Sequence, residues 1–295
     1  MAPASAATAP CWRWRSDAGI DSGIGTGFDA AVRCCAGAAV AMMARVVTAE
    51  TLDGLAEDDP AAMRSRRDLQ RIHRVMGTRG RVVQALRSLT ASRPAGAPLR
   101  LLELGAGDGS LMLGVARALK DEWPAVELTL LDRQNLVSNA TIASYASLGW
   151  VARSQVMDVF YWAYGTEVAV NERPVRSTSS HWDVIVANLF LHHFEGAALA
   201  ALLAVIASRT GRFFACEPHR SRLALAGSHL IGAIGANAVT REDAVLSVRA
   251  GFRAQEISAL WPGHDAAWTL REYSAGLFSH CFRAGKIAFH ASARP

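Results

Sequence analysis

From residue 99 onward the chain alternates short apolar runs with longer segments of helical pattern, and this alternation restricts the fold more than any other feature. LRLLEL (99–104), VELTLLD (126–132), WVARSQVMD (150–158), WDVIVAN (182–188) and RFFACE (212–217) read as buried strands. SLMLGVARALKDEW, NLVSNATIASYASLG and EGAALAALLAVIASR, which lie between them, read as helices. Such repetition predicts a parallel sheet covered on both faces, with ligands at the carboxyl ends of the strands. The last third differs. RSRLALAGSHLIGAIGAN reads as a helix-rich insertion, and TREDAVLSVRAGF as a helix capped by Thr240 with Asp243 at its third position. QEISALW (255–261) and WTLREYSAGLFSHCF (268–282) read as two more strands, joined by PGHDAA. That turn is too short for a crossover helix, so these last strands should be antiparallel. The expected fold is α/β: a doubly wound, mostly parallel seven-stranded sheet with an antiparallel last strand and N-terminal helices.

Upstream of the sheet the pattern changes twice. Residues 1–42 are rich in Ala, Gly and Ser without sustained periodicity, and are expected to be a disordered extension. The paired Met42 and Met43 mark its end and are a candidate translation start. Residues 43–98 are expected to be helical. Asp59 caps, Pro60 opens a helix, Leu69, Ile72 and Met76 share a face, and Gly77 stops it. A second helix carries Val82, Val83, Leu86 and Leu89, and ASRPAGAP (91–98) reads as a linker into a domain spanning 99–295.

Charge and cysteine content narrow the function classes. The net charge is +5, but Lys120 and Lys286 are the only lysines, so the basic balance reflects an arginine-rich composition. Nine arginines fall between Arg64 and Arg93. No aromatic residue interleaves them as a single-strand binder requires, so they are read as a solvated helical face and no nucleic-acid partner is expected. The cysteines, Cys11, Cys34, Cys35, Cys216 and Cys281, are odd in number and form no C-x-x-C pair, which disfavours a disulfide framework or a thiolate metal site and suits the cytoplasm. The longest apolar runs, CCAGAAVAMMA (34–44) and AALAALLAVIA (197–207), are about half the roughly 20 residues a spanning helix needs. No integral membrane association is expected.

The chemistry concentrates in LLELGAGDGS (101–110), where Glu103 precedes Gly105, Ala106, Gly107 and Gly109. A dinucleotide turn reads G-x-G-x-x-G; here the third glycine comes one residue early. A carboxylate facing the turn would repel a pyrophosphate and suits a ligand carrying an ammonium group. Over roughly residues 99–283 the chain resembles the class I S-adenosylmethionine-dependent methyltransferases, through h-h-E-x-G-x-G-x-G and the acidic or amide residues that follow successive strands. The resemblance implies a Rossmann-like methyltransferase fold with S-adenosyl-L-methionine as cofactor. It implies that Asp132 accepts the ribose hydroxyls, that Asp158 and the Val159 N–H meet the adenine, and that Asn188 lies beside the methionine moiety.

ANLFLHHF (187–194) places His192 and His193 after the fourth strand, and ACEPHRS (215–221) places Glu217 and His219 after the fifth. One histidine, His192 before His193, is the candidate general base for a phenolic acceptor. Glu217 is the candidate to orient a substrate hydroxyl or His192, or to pair with Arg220 or Arg222. His181, His229, His264, His280 and His290 have no partner pattern, and no metal site is expected because no acidic trio is discernible. ANLFLHHF, ACEPHRS, AVTREDAVLSVRAGF and LWPG with AGLFSH are similar to bacterial small-molecule methyltransferases associated with type III polyketide synthases. That likeness implies secondary metabolism and a small, apolar aromatic acceptor, phenolic or quinone-like. An NAD(P)-dependent oxidoreductase on the same fold and a noncatalytic cofactor-fold subunit are the alternatives.

Overall fold

The structure is a computed structural model that describes residues 43–91, 97–123, 125–165, 181–263 and 267–287. The expected extension (1–42), most of the ASRPAGAP linker, His264 and His290 lie outside these residues. Among the described residues three helices precede the sheet: α1 (Thr51–Gly54), α2 (Pro60–Met76) and α3 (Thr78–Thr90). The Asp59 carboxylate accepts from the N–H groups of Ala61 and Ala62 to start α2, and Gly77 at φ 66° ends it. Its most buried positions are Ala62, Ser65 and Asp68, a small polar stripe, whereas Leu69, Ile72 and Met76 are half-buried.

The strands are β1 (Leu99–Leu104), β2 (Val126–Asp132), β3 (Trp150–Val156), β4 (Val184–Asn188), β5 (Arg212–Pro218), β6 (Trp268–Ala275) and β7 (Ser279–Lys286). They form a seven-stranded sheet in the order β3-β2-β1-β4-β5-β7-β6. β1 to β5 pair in parallel, and β7 runs antiparallel to both β5 and β6. The order reverses between β1 and β4, so the carboxyl ends of those two strands open the crevice in which such sheets bind ligands.

Helices α4 (Ser110–Leu119), α5 (Asn139–Ala146), α6 (Val159–Tyr164), α7 (Gly196–Arg209), α8 (Arg222–Leu230) and α9 (Ala238–Ala250) follow between the strands. Side chains alternate across the sheet. Leu101, Leu128, Val184 and Phe214 pack with Val82 and Leu86 of α3 and Met112 and Val115 of α4. Leu102, Leu104, Ile185 and Phe213 pack on the other face with Leu199, Leu203 and Ile206 of α7. By this alternation Glu103 shares a face with Leu101, so a carboxyl group occupies an interior position of β1. Among the described residues no helix is long and apolar enough to cross a membrane.

Three sequence expectations are corrected. QEISALW is not a strand but a set of turns with a 3-10 segment at Ser258–Leu260. Its apolar alternation serves to bury Ile257 and Trp261, and the Glu272 carboxylate accepts from the N–H groups of Ile257 (3.1 Å) and Ser258 (2.7 Å), donors a ladder would have needed. The seventh strand comes instead from WTLREYSAGLFSHCF, which folds at Gly276 (φ 71°) into the β6–β7 hairpin. Second, α9 starts before Thr240. Asn237 is its cap, accepting from the Thr240 N–H at 2.8 Å, while Thr240 Oγ1 donates to Ser65 Oγ of α2. Asp243 caps α1, accepting from Thr51 N–H (2.7 Å) and Leu52 N–H (2.9 Å). Third, the strand read over 150–158 ends at Val156, and Asp158 instead starts an added helix, α6, its Oδ1 accepting from the Phe160 N–H at 2.8 Å.

The junction of α9 with β5 depends on a missing side chain. A Cβ at Gly251 would stand 2.3 Å from the Pro218 carbonyl oxygen, which accepts from the Phe252 N–H at 2.9 Å. Gly251→Ala should therefore cost about 1–3 kcal/mol by overpacking. At Gly54 a Cβ meets nothing within 4 Å, so Gly54→Ala should shift stability by no more than about 0.5 kcal/mol. Urea unfolding of the two variants checks both numbers. Equal midpoints would show that the α9–β5 junction relaxes freely.

Candidate functional site

The crevice is floored by the turn between β1 and α4. Gly105 (φ 67°) and Gly107 (φ 55°) hold left-handed backbone that favours glycine, for different reasons. A Cβ on Gly105 would lie 2.4 Å from the Phe190 ring, so that position is closed by a side chain. A Cβ on Gly107 meets nothing within 4 Å, so that position opens onto free space. Asp132, at the end of β2, braces the turn. Its Oδ2 accepts from the Gly107 N–H (2.8 Å) and its Oδ1 from the Gln134 N–H (2.9 Å). Each oxygen keeps a second lone pair for a ligand hydroxyl. Ala106 donates its N–H to the Leu131 carbonyl at 3.1 Å, and Gly109, at φ 74°, leads into α4.

Two polar atoms in this crevice lack partners. Glu103 is 2% exposed, and its Oε2 has no hydrogen-bond partner. Burial, and then the carboxylates of Asp108 and Asp132, push its carboxyl well above the usual range. Asn188, at the end of the adjacent β4, is also buried, and its Oδ1 lacks a partner. Its Nδ2 donates toward His73 Nε2 at 3.4 Å. Burial pushes His73 down to about 4, so its ring is neutral and can accept that bond. Gln70, one turn earlier on α2, donates from Nε2 to Asp108 Oδ2 at 2.6 Å. A cleft of about 500 Å³ is lined in part by Arg66, Gln70, Asp108, Asn135 and Leu136. Asp158 is exposed at the start of α6, and Val159 beside it is buried.

Past β4 the chain bends sharply. Leu189 has φ 48°, a strained value for a side-chain-bearing residue, costing about 1–3 kcal/mol. Glu217, at the end of β5 and fully buried, holds the bend. Its carboxylate accepts from the N–H groups of Phe190 (3.1 Å), Leu191 (3.0 Å) and His192 (3.3 Å), and from the His192 ring at 2.8 Å. Of the partners expected for Glu217, the structure places His192 on its carboxylate, whereas Arg220 pairs with Glu256. With zero exposure, Glu217 contacts only the residues that surround it.

The expectation that His192 is the free base is corrected. Its ring is buried, with Nδ1 on Glu217 Oε2 (2.8 Å) and Nε2 on Glu50 Oε1 (3.2 Å). Burial alone would lower its pKa, but the bonds to Glu217 and Glu50 outweigh it and raise it to about 9. No lone pair is left for a substrate proton. His193, its ring centroid 4.2 Å from that of His192, is the more open of the two, at 22% side-chain exposure. Burial and the neighbouring His192 lower its pKa, and its Nδ1 lies 3.5 Å from Asp53 Oδ2.

Residues 43–50 run along this bend. Arg220 Nε donates to the Met43 carbonyl (2.9 Å), and Arg45 donates to the carbonyls of Ala250 (2.7 Å), Phe194 (2.8 Å) and His192 (3.3 Å). Glu50 accepts from Ser247 of α9 and meets His192. Sequence reasoning missed Glu50, Gln70, His73 and Asp108. Glu50 lies 142 positions from His192, and His73 sits in an arginine-rich helix whose face gives no sign of it. His280, expected to have no partner, is buried with Nε2 at 2.8 Å from Glu272 Oε1.

No protein-family model and no curated protein sequence matches the chain. Solved structures do. The plantazolicin methyltransferase BpumL, crystallised with a triazolic desmethylPZN analog and SAH, superposes with a TM-score of 0.54 at 13% identity, covering 78% of this chain and 92% of its own. The same enzyme with a monoazolic analog and SAH gives 0.51 at 13% identity, with 78% and 91% covered. An O-methyltransferase family protein from Burkholderia thailandensis gives 0.52 at 12% identity, covering 80% of this chain and 63% of its own. The seven-stranded sheet described above is thus the fold of these methyltransferases.

Proposed function

We propose that this protein is an S-adenosylmethionine-dependent methyltransferase acting on a small, apolar aromatic acceptor, phenolic or quinone-like. One observation carries the cofactor assignment: Glu103 Oε2 and Asn188 Oδ1, unpartnered and buried at the ends of adjacent strands, flank a glycine turn with open space above Gly107. Two acceptors and a cluster of carboxylates call for a cation with several N–H donors. An ammonium group supplies both. The pyrophosphate of NAD would face Glu103, Asp108 and Asp132 together, which argues against the oxidoreductase alternative.

Glu103 and Asn188 hold the ammonium group, the free lone pairs of Asp132 take the ribose hydroxyls, and Asp158 with the Val159 N–H meets the adenine. Gly105, Ala106, Gly107 and Gly109 form the floor. When bound, the cofactor supplies an electrophilic methyl group on a sulfonium centre. The chain's own contribution is alignment along one axis, which lowers the barrier without a strong base. The half-buried rings of Phe160, Phe190 and Phe194, stacked edge to face at 5.2–5.3 Å, support an aromatic acceptor beside His193. A cytoplasmic location and a role in secondary metabolism belong to the same reading.

Calorimetric titration with S-adenosylmethionine, S-adenosylhomocysteine and NAD tests the cofactor assignment. Asp132→Ala removes charged acceptors and should weaken S-adenosylhomocysteine binding about 10- to 100-fold. Gly107→Val fills the open floor and should do at least as much. Tighter binding of NAD than of S-adenosylhomocysteine, or unchanged affinity in both variants, sinks the proposal.

Glu103 gives a second test. An ammonium partner lowers its raised pKa, so binding should release protons, and affinity should rise with pH until the free carboxyl ionises. Apparent binding enthalpies should then differ between phosphate and Tris buffers in the wild type, with the difference reduced in Glu103→Gln. Identical enthalpies in both buffers would mean that Glu103 does not change protonation.

For the acceptor, alkylresorcinols, hydroquinones and catechols should accept labelled methyl groups, while short-chain acids and RNA should not. Transfer to RNA alone overturns the small-molecule assignment.

A further inference from the structure

We propose that Glu50, His192 and His193 bind a divalent transition-metal ion of the zinc or ferrous type, whose open position takes the acceptor oxygen. Each of the three residues offers one ligand atom, and these atoms lie within 4.8 Å of one another. One pair, His192 Nε2 and Glu50 Oε1, is 3.2 Å apart. Donors about 2.1 Å from a zinc ion stand roughly 3.0–3.4 Å from each other in octahedral to tetrahedral arrangements, so this spacing fits two ligands on one ion.

The surroundings carry the argument further. Glu217 Oε2 accepts from His192 Nδ1 at 2.8 Å, which leaves Nε2, turned toward Glu50, as the nitrogen that gives up its proton when an ion binds. That is the carboxylate–histidine–metal arrangement, in which an outer carboxylate aims the ring and raises its basicity as a ligand. The aim is rigid, because the same carboxylate also holds the backbone N–H groups of Phe190, Leu191 and His192. Ser247 donates to Glu50 from α9, so the carboxylate from the N-terminal segment is likewise held in place. Asp53 adds a further carboxylate, 3.5 Å from His193 Nδ1.

Donor chemistry selects the ion. Two imidazoles and one carboxylate suit zinc, iron, cobalt or nickel, whereas magnesium and calcium take oxygen donors. Three protein ligands leave a position vacant, as at catalytic rather than structural metal centres. The open side is identifiable: the His192 side chain is 3% exposed, Glu50 13% and His193 22%. An acceptor oxygen would enter past His193.

This inference rests on the methyltransferase reading for its chemistry, though not for the binding itself. A phenol coordinated through its oxygen loses its proton to water more readily, because the metal stabilises the phenolate. The phenolate oxygen forms the new bond to the sulfonium methyl carbon as the carbon–sulfur bond breaks, and that electron pair stays on sulfur. The products are the methyl aryl ether, S-adenosylhomocysteine and one proton.

The test is a zinc titration of full-length protein stripped with a chelator, read by competition with a chromophoric zinc indicator. One equivalent of Zn²⁺ should bind in the wild type, and Mg²⁺ should not displace it. His193→Ala and Glu50→Gln should each weaken binding at least tenfold. His193→Ala leaves the Glu217–His192 bond intact, so its unfolding midpoint and S-adenosylhomocysteine affinity should stay at wild-type values. Absence of stoichiometric zinc binding, or binding unchanged in both variants, overturns the metal site. S-adenosylhomocysteine binding by the same zinc-free sample separates the two proposals: its presence leaves the methyltransferase reading standing when the metal site fails. Its absence with zinc still bound keeps the metal site and overturns the methyltransferase reading.

Discussion

The Glu217 carboxylate is the constraint on which the site depends. Three backbone N–H groups and one imidazole converge on a side chain with no solvent exposure. Burying a charge is expensive unless it is fully hydrogen-bonded, and here the bonds come from the segment that must bend after β4. The strained Leu189 backbone is therefore maintained by its neighbours rather than by local preference. The carboxylate thus sets the path of the loop and the direction of the His192 ring, and through that ring the position of Glu50. β5, the β4 loop and the N-terminal segment meet at one side chain.

The crevice beside it follows the opposite rule. Glu103, Asp108 and Asp132 surround the glycine turn without a cationic side chain bonded to Glu103, which leaves an unsatisfied interior acceptor. A folded protein tolerates such a defect where a ligand removes it. α2 closes the other side with neutral groups, His73 bonded to Asn188 and Gln70 bonded to Asp108. Two of its arginines are engaged by other groups: Arg66 donates to the Glu57 carbonyl and to Gln134 Oε1, and Arg71 pairs with Asp68.

Legibility in the sequence follows the range of the interactions. The parallel core is readable because strand, turn and helix signals are local, and Glu103, Gly107, Asp132 and Asn188 each mark a strand end by position alone. The two antiparallel strands are not, because QEISALW has the alternation of a strand, while its backbone donors go to Glu272, which only the folded chain brings near. The start of α9 is ambiguous for a similar reason: Asn237 and Thr240 are both good capping residues, and the choice depends on Ser65 and Asp68 of α2. The histidine pair is legible, but its internal division of roles is not. A motif shows that two imidazoles adjoin; it does not show that one is clamped between carboxylates contributed from positions 50 and 217.

That division follows from how the chain is assembled. The parallel sheet can supply the crevice at β1 and β4 by itself, since every residue flooring it belongs to a strand end or the turn after it. The polar edge beside His193 cannot be made that way. Glu50 and Asp53 reach it only because residues 43–50 are tied down along the loop by Arg45 and Arg220, and because Asp243 of α9 caps α1. The N-terminal segment and α9 therefore act as one unit in shaping the edge beside His193, which the proposed function assigns to the acceptor, whereas the common sheet shapes the crevice it assigns to the cofactor. Chains sharing this sheet at 13% identity need share none of that edge. On the proposed reading, acceptor chemistry is therefore to be sought at Glu50, Asp53 and His193 rather than in the fold.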